Sequence, residues 1–308
     1  IFYYYQYVFS RNKSNLFLHE FNQENNNNSY MAIITLTTDF GVKDYFVGAV
    51  KGAIYSEMAD ANIVDISHSV SPFHLHEAAY IIQNAYKSFP EGSIHIIGVD
   101  SELNPENRHI ALLLDGHYFI CADNGIMSFI TAEINPDKIV EINIHDRITT
   151  NFPVLDVFVK VAGHLARGGT LDIIGKPIDT IKETRRIQPV ITNNDTQIIG
   201  NIIYIDNYGN AVSNIKKSFF ESVGKGRNFE IFARTTKFTQ IYSRYSDAVN
   251  FDVSPEKRDE DGKKLALWNS SNHLELAVYK SNPSTVGGAV TLFGLGFRDT
   301  IKVDFLDD

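Results

Sequence analysis

Acidic residues recur where apolar runs end. Asp39 follows the run ending in ITLTT, and Asp44 stands across a glycine turn from it in TTDFGVKDYF. Ser67 and His68 follow IVDI, and Asp100 follows IIGV. Asp123-Asn124-Gly125 follow HYFICA, and Asp206-Asn207-Tyr208-Gly209-Asn210 follow IIYI. Carboxylates so placed can hold a hard cation, accept both hydrogen bonds of a ribose diol, or cap a helix. An EF-hand pattern, a His-x-x-x-His helix and a Cys pair are all absent. The nearest metal-like spacing is His74-Leu75-His76, at a helix start, where solvated polar residues account for it. Neither G-x-G-x-x-G nor the Walker pattern precedes a helix, and FGLGF at 293–297 falls among strands. The residues therefore offer ribose chemistry without phosphate chemistry, which suits a nucleoside bearing a cationic group better than a nucleotide. Capping of a helix by Asp39 and Asp44 stays open as the alternative.

The elements around these acids alternate. From residue 32 to about 176, AIITLTT, ANIVDISH, SIHIIGVD and KIVEINI read as strands. DYFVGAVKGAIYSEM, HEAAYIIQNAYKSF, GIMSFITAEI and LDVFVKVAGHLARGG read as helices, the last closed by Gly168-Gly169. HIALLLDGHYFICADNG reads as a hairpin turned at Asp115-Gly116. Such alternation predicts an α/β domain with a mostly parallel sheet over 31–180. A polar, proline-containing linker follows at 181–197. Short β-rich runs separated by Asn, Gly and Asp then predict an all-β domain, a small barrel or sandwich, over 198–308. In open α/β sheets, ligands bind beyond the carboxyl ends of the strands, where Asp39, His68 and Asp100 stand.

The 308 residues are 44% hydrophobic, enough for a large core without disulfide or metal staples. The formal charge of −9 excludes the basic footprint of non-specific nucleic-acid binding and suits a cationic small molecule. The single cysteine, Cys121, lies in an apolar strand pattern and reads as a buried core residue. That usage fits a reducing, cytoplasmic compartment, and no apolar run is long enough to span a membrane. Residues 1–30 run from aromatic to basic to asparagine-rich, the reverse of a secretory signal. They read as a poorly ordered extension upstream of Met31.

TLTTDFGVKDYFVGAVKG, DISHSVSPF, ADNG, FPVLDVFVKVAGHLARGG, IDNYGNAVSNI and NSSNHLELA stand in the order seen in a known family. Over about residues 32–305 the chain resembles the S-adenosyl-L-methionine (SAM) hydroxide adenosyltransferases. These are relatives of the fluorinase and chlorinase that attack SAM with halide. The resemblance implies an N-terminal α/β domain, a C-terminal β-barrel, and a homotrimer with SAM at the subunit interface. It implies hydrolysis of SAM to adenosine and L-methionine by attack of water at ribose C5′, with no metal and no cofactor beyond the substrate. It implies roles as well. Asp39 would hold the ribose hydroxyls, Asp44 would contact the methionine end, and Phe73 would wall the pocket. Asp206 would take the methionine ammonium, and Tyr208 would pack on adenine. Asn210 would hydrogen-bond adenine, and Ser270 would meet the methionine carboxylate. Asn124 and Phe152 fall in matching motifs and join the substrate-binding set.

The chain departs from the family pattern where water is handled. The hydrolytic members carry an Asp in a segment like V-D-P-G-V-G-T-x-R-R, and here that segment is GVDSELNPENRH. Asp100 matches the acid, Asn107 aligns with the first Arg, and Arg108 is one residue further on. Asp100 with Arg108 is the expected catalytic pair. The family His of T-F-H-G-R-D is replaced by Pro153 in NFPVLD, and Val154 stands where halide enzymes carry Ser. Valine removes a halide donor, which disfavours halogenation. A non-catalytic SAM or adenosine binder, and an enzyme with another nucleophile, are the competing readings. A methyltransferase is disfavoured because TTDFGVKD lacks a glycine-rich loop.

Overall fold

Strand β1 (Ile33–Thr38) lies one in from the edge of the first sheet and is buried on both faces. The structure, a computed structural model, describes residues 32–144, 150–258, 262–285 and 287–306. The expected extension at 1–30 lies outside them. β1 leads through α1 (Phe46–Glu57) to β2 (Asn62–Ser67) on one side of it. The chain then passes through α2 (Leu75–Ala85) to β3 (Ile94–Gly98) on the other side. β4 (His109–Leu114) and β5 (His117–Ala122) form the expected hairpin. Its turn residues Asp115 and Gly116 have φ of 53° and 74°, the pair of positive values that a tight hairpin turn needs. After the short α3 (Ile126–Ile130) come β6 (Lys138–Ile142), a wide π-helical turn (Val154–Phe158), α4 (Val159–Ala166), α5 (Leu171–Ile174) and β7 (Gly175–Pro177).

The sheet order is β2-β1-β3-β5-β4-β6-β7. β2, β1, β3 and β5 are parallel neighbours, β6 runs with them, and only β4 and β7 run against them. The α/β expectation with a mostly parallel sheet is therefore met. Helices α1 and α4 bury one face, around Ile34, Leu36, Ile96 and Phe158. α2 and α3 bury the other, around Ile82, Ile110 and Phe119. Cys121 is part of that second core, and burial pushes its thiol pKa up. Because the chain leaves β1 for one neighbour and returns on its far side, the winding switches at the carboxyl end of β1.

The second sheet gathers β8 (Val190–Thr192), β9 (Gln197–Ile205), β10 (Ala211–Lys216), β11 (Phe229–Ala233), β12 (Thr236–Phe238), β13 (Ile241–Tyr242), β14 (Lys264–Trp268), β15 (His273–Val278) and β16 (Thr300–Phe305). Their order, β12-β11-β16-β9-β10-β15-β14-β13, makes a nearly closed barrel-like sheet. β8 pairs with β9, so the stretch read as a linker contributes a strand. α6 (Lys217–Gly224) and α7 (Ala289–Phe293) pack on its core with Ile198, Leu274, Leu276 and Ile301. Trp268 borders the same core, with its ring 5.3 Å from that of Phe220.

Helix α2 joins the two sheets. Tyr80 stacks on Tyr204 of β9 at 4.4 Å, and Asn269 Nδ2 donates to the Tyr80 hydroxyl at 3.1 Å. The His-Leu-His spacing is explained here. His74 Nδ1 accepts from Glu77 N–H as the α2 cap, and His76 packs between Phe129 and Phe297. Phe297 ends the FGLGF run, so that segment is packing rather than a phosphate loop. No helix among the described residues is long and apolar enough to cross a membrane.

At Gly98, the last residue of β3, neighbouring segments approach closely. A Cβ there would lie 2.9 Å from Val154 Cγ2 and 3.2 Å from both Phe40 and Thr38. Gly98→Ala should therefore cost about 1–3 kcal/mol through overpacking. Adding Val154→Ala should recover part of the loss, as read from urea midpoints in a double-mutant cycle.

Candidate active site

The carboxyl ends of β1, β2 and β3 bring the first group together. Asp39 Oδ2 accepts a hydrogen bond from the Phe73 backbone N–H at 2.9 Å. Phe73 is in the left-handed region at φ 61°, and its ring is 72% exposed. Burial raises the Asp39 pKa above the ordinary carboxylate range. The N–H groups of Phe73, Asp39 itself and Asp100 oppose that rise, and the nearby Asp100 charge adds to it. Asp39, Phe73 and Asp100 thus share one place. Asp44 is exposed on the turn before α1. The α1 cap is Tyr45, with no side-chain cap bond and no acid in the first turn. The capping alternative therefore fails for both acids.

Asp100 has φ of 46°, a left-handed value that Asp tolerates better than most residues. Asn124 holds its loop. Its Nδ2 donates to the carbonyls of Val99 and Asp100 at 3.0 Å, and its Oδ1 accepts from Ile126 N–H at 3.1 Å. Asn124 is buried with these groups satisfied inside the chain, and so supports the acid loop. Arg108 has acceptors of its own. Its guanidinium donates to Asp123 at 3.0 Å, Glu141 at 3.3 Å and the Thr180 carbonyl at 2.7 Å. Those three acceptors draw it away from a partnership with Asp100, and sequence adjacency could not reveal this. Asp123 also accepts from Lys182 N–H at 2.8 Å, so this cluster fastens the 180–184 stretch.

The wall beside these acids is apolar. Phe152 meets Phe40 and Phe46 edge-on at 5.5 and 5.6 Å. Pro153, in the place of the family His, is buried at the first helical position, where its missing N–H costs nothing. Val154 is fully buried against Gly98. His164 is spent on the Thr170 carbonyl at 3.0 Å and does not replace the missing His.

The second group stands on the β9–β10 loop. Asp206 Oδ1 accepts from the N–H groups of Tyr208 and Asn210 at 2.9 and 2.8 Å, and its Oδ2 accepts from Asn210 Nδ2 at 2.9 Å. Asn210 Oδ1 is buried with no partner among the described residues. Tyr208 is 64% exposed. Gly288 makes the loop possible, since a Cβ there would lie 2.7 Å from the Tyr208 carbonyl. Behind the loop, the Tyr245 hydroxyl donates to Glu275, which is only 4% exposed. Burial raises the Glu275 pKa, and the Asp206 charge raises it further. Sequence reasoning missed Glu275 and Tyr245. The available signal was a glutamate inside the apolar strand LELAV. Ser270 is exposed in the β14–β15 turn, whose Asn269 accepts from Ser271 and His273 N–H at 3.0 Å.

Among the described residues, no hydrogen bond, ion pair or ring contact joins the Asp39 group to the Asp206 group, and none has the clustered His, Cys, Asp or Glu of a metal site. Asn124→Asp keeps the shape and the acceptor but turns acceptors toward the Val99 and Asp100 carbonyls. It should cost about 1–3 kcal/mol in stability, read as a lowered urea midpoint.

Residues 34–175 match the model for the SAM hydroxide adenosyltransferase N-terminal domain, and residues 200–302 match that for the C-terminal domain. The chain is similar to the (R)-S-adenosyl-L-methionine hydrolase of Methanocaldococcus jannaschii, at 26% identity over 90% of this chain and 94% of that protein. It is also similar to the fluorinase of Nocardia brasiliensis, at 25% identity over 81% of this chain and 91% of that protein. An uncharacterized conserved protein from Thermotoga maritima shares the fold with a TM-score of 0.74. That match is 24% identical and covers 88% of this chain and 99% of that one. The two matched models fall on the two sheets that carry the two groups of acids, and the chain belongs to the SAM hydroxide adenosyltransferase family.

Proposed function

We propose that the protein hydrolyses SAM to adenosine and L-methionine. The family supports this, and the carrying observation is the convergence of Asp39 and Asp100 beside an apolar wall at the strand ends. In this reading Asp39 accepts from the ribose diol, and Asp100 orients a water toward C5′. The water oxygen bonds C5′ as the C5′–S bond breaks. The bonding pair leaves on sulfur, so methionine departs as a neutral thioether, and the water passes its proton to the Asp100 carboxylate and on to solvent. The sulfonium needs no acid to help it leave, so placement carries the chemistry, and orientation alone supplies ~7–11 kcal/mol in favourable cases. Phe40, Phe46 and Phe152 keep bulk water off the reacting carbon.

Asp206, with Glu275 behind it, supplies negative charge for the methionine ammonium. Asp44 and Ser270 face the methionine end. Tyr208 packs on adenine, and Asn210, whose buried Oδ1 has no partner among the described residues, hydrogen-bonds it. Phe73 and Tyr208 are both exposed, and no hydrogen bond, ion pair or ring contact joins the two groups among the described residues. In this reading the site is completed between copies, in the homotrimer that the family resemblance implies.

A second reading, SAM binding without turnover, is favoured by Pro153 and by the engagement of Arg108 elsewhere. Residues 31–308 incubated with SAM should yield equal adenosine and methionine by chromatography with mass detection. The Asp39→Asn, Asp206→Asn double variant is the blank for spontaneous decay. No product above that blank, with SAM still bound by calorimetry, would establish the binder.

The shared site has its own test. Asp39→Asn and Asp206→Asn should each abolish turnover when pure. Co-refolded in equal amounts, they should regain about a quarter of wild-type sites, because random mixing pairs intact halves that often. No regain would place both halves within one chain.

A further inference from the structure

His68 ties together the loops that carry Asp39 and Phe73. It is buried, only 7% exposed, just beyond the end of β2. Its ring Nδ1 lies 2.8 Å from the hydroxyl of Thr38, the residue before Asp39. Its backbone carbonyl accepts from Gly41 N–H at 2.8 Å, on the other side of Asp39. Asp39 itself accepts from Phe73 N–H, which leaves the same loop that His68 begins. The β1 end is thus held on both flanks by one residue.

The ring has a direction. Nε2 lies 3.1 Å from Asp65 Oδ1, off the line of an ideal hydrogen bond but close enough to draw the ring proton there. Asp65 is itself paired with Lys51 of α1. With the proton on Nε2, Nδ1 is an acceptor and the Thr38 hydroxyl donates to it. The Thr38 oxygen then faces the Phe40 N–H at 3.4 Å. Thr38 is 1% exposed, so its hydroxyl has no water to turn to. A valine would fill the same space and leave the turn after β1 without this anchor.

We propose that His68, oriented by Asp65, is a positioning residue that sets the Asp39 carboxylate for the ribose diol through Thr38 and Gly41. This rests on the reading of Asp39 as the diol acceptor. The readout is the ratio of calorimetric affinities for adenosine and 2′,3′-dideoxyadenosine, which a general loss of stability does not change selectively. Wild-type protein should prefer adenosine by about tenfold or more, since the hydrogen bonds run to a charged acceptor. Thr38→Val should bring the ratio close to one while sparing affinity for the dideoxy compound, and Thr38→Ser should restore it. Asp65→Asn, at the exposed end of the relay, should lower the ratio part of the way and decides the matter if the core variants do not fold. A wild-type ratio in folded Thr38→Val, or in Asp65→Asn where Thr38→Val does not fold, overturns the proposal. A wild-type protein without preference for adenosine, unchanged by Asp39→Asn, overturns the diol reading instead.

Discussion

A carboxylate that is half-buried and still expected to bind must have its hydrogen bonds supplied by backbone that does not move. Asp39 is such a group, and the local structure around it follows from that constraint. It sits where the winding of the sheet switches, because only there do three strand ends and their loops meet without a helix between them. The left-handed conformations of Phe73 and Asp100 turn peptide N–H groups toward it. Asn124 then fixes the Asp100 loop from behind, and Gly98 lets the Phe152–Val154 segment close over the end of β3. The surface pair of Lys51 and Asp65 contributes little stability of its own, about 0–1 kcal/mol for an exposed pair, and serves chiefly as orientation.

The second sheet solves a similar problem by other means. Asp206 satisfies its own loop, drawing Tyr208 and Asn210 into a tight turn that Gly209 and Gly288 permit. Glu275 stands behind it, capped by the Tyr245 hydroxyl. Burial and the nearby Asp206 charge make Glu275 costly to ionise, and a cationic ligand relieves that cost. The aromatic wall on one sheet and the acidic cluster on the other are suited to the two ends of one molecule, an apolar reaction centre and an ammonium.

Much of this was legible in the sequence, for stated reasons. Period and length separated the strands from the helices, and Asp115-Gly116 announced its turn because few other residues accept two positive φ values. Acids after apolar runs marked the strand ends. What sequence could not supply was reach. Arg108 is close to Asp100 along the chain, yet its long side chain extends to Asp123, Glu141 and Thr180. His74 and His76 read as solvated polar residues at a helix start, whereas one caps the helix and both rings pack on Phe297. β8 was hidden in a polar stretch because a three-residue strand carries too little pattern to register. Glu275 was passed over because a single charge in an apolar strand has no partner until the fold provides Tyr245.

The chain contains one tryptophan, and Trp268 lies against Phe220 in the second sheet, beside the turn that carries Ser270. Intrinsic indole emission is therefore a private signal of that half of the molecule. Far-ultraviolet dichroism draws on the helices of the first half as well. The two optical probes divide the protein along its own seam, and their coincidence or separation during melting measures how firmly Tyr80 and Tyr204 weld the halves into a single cooperative unit.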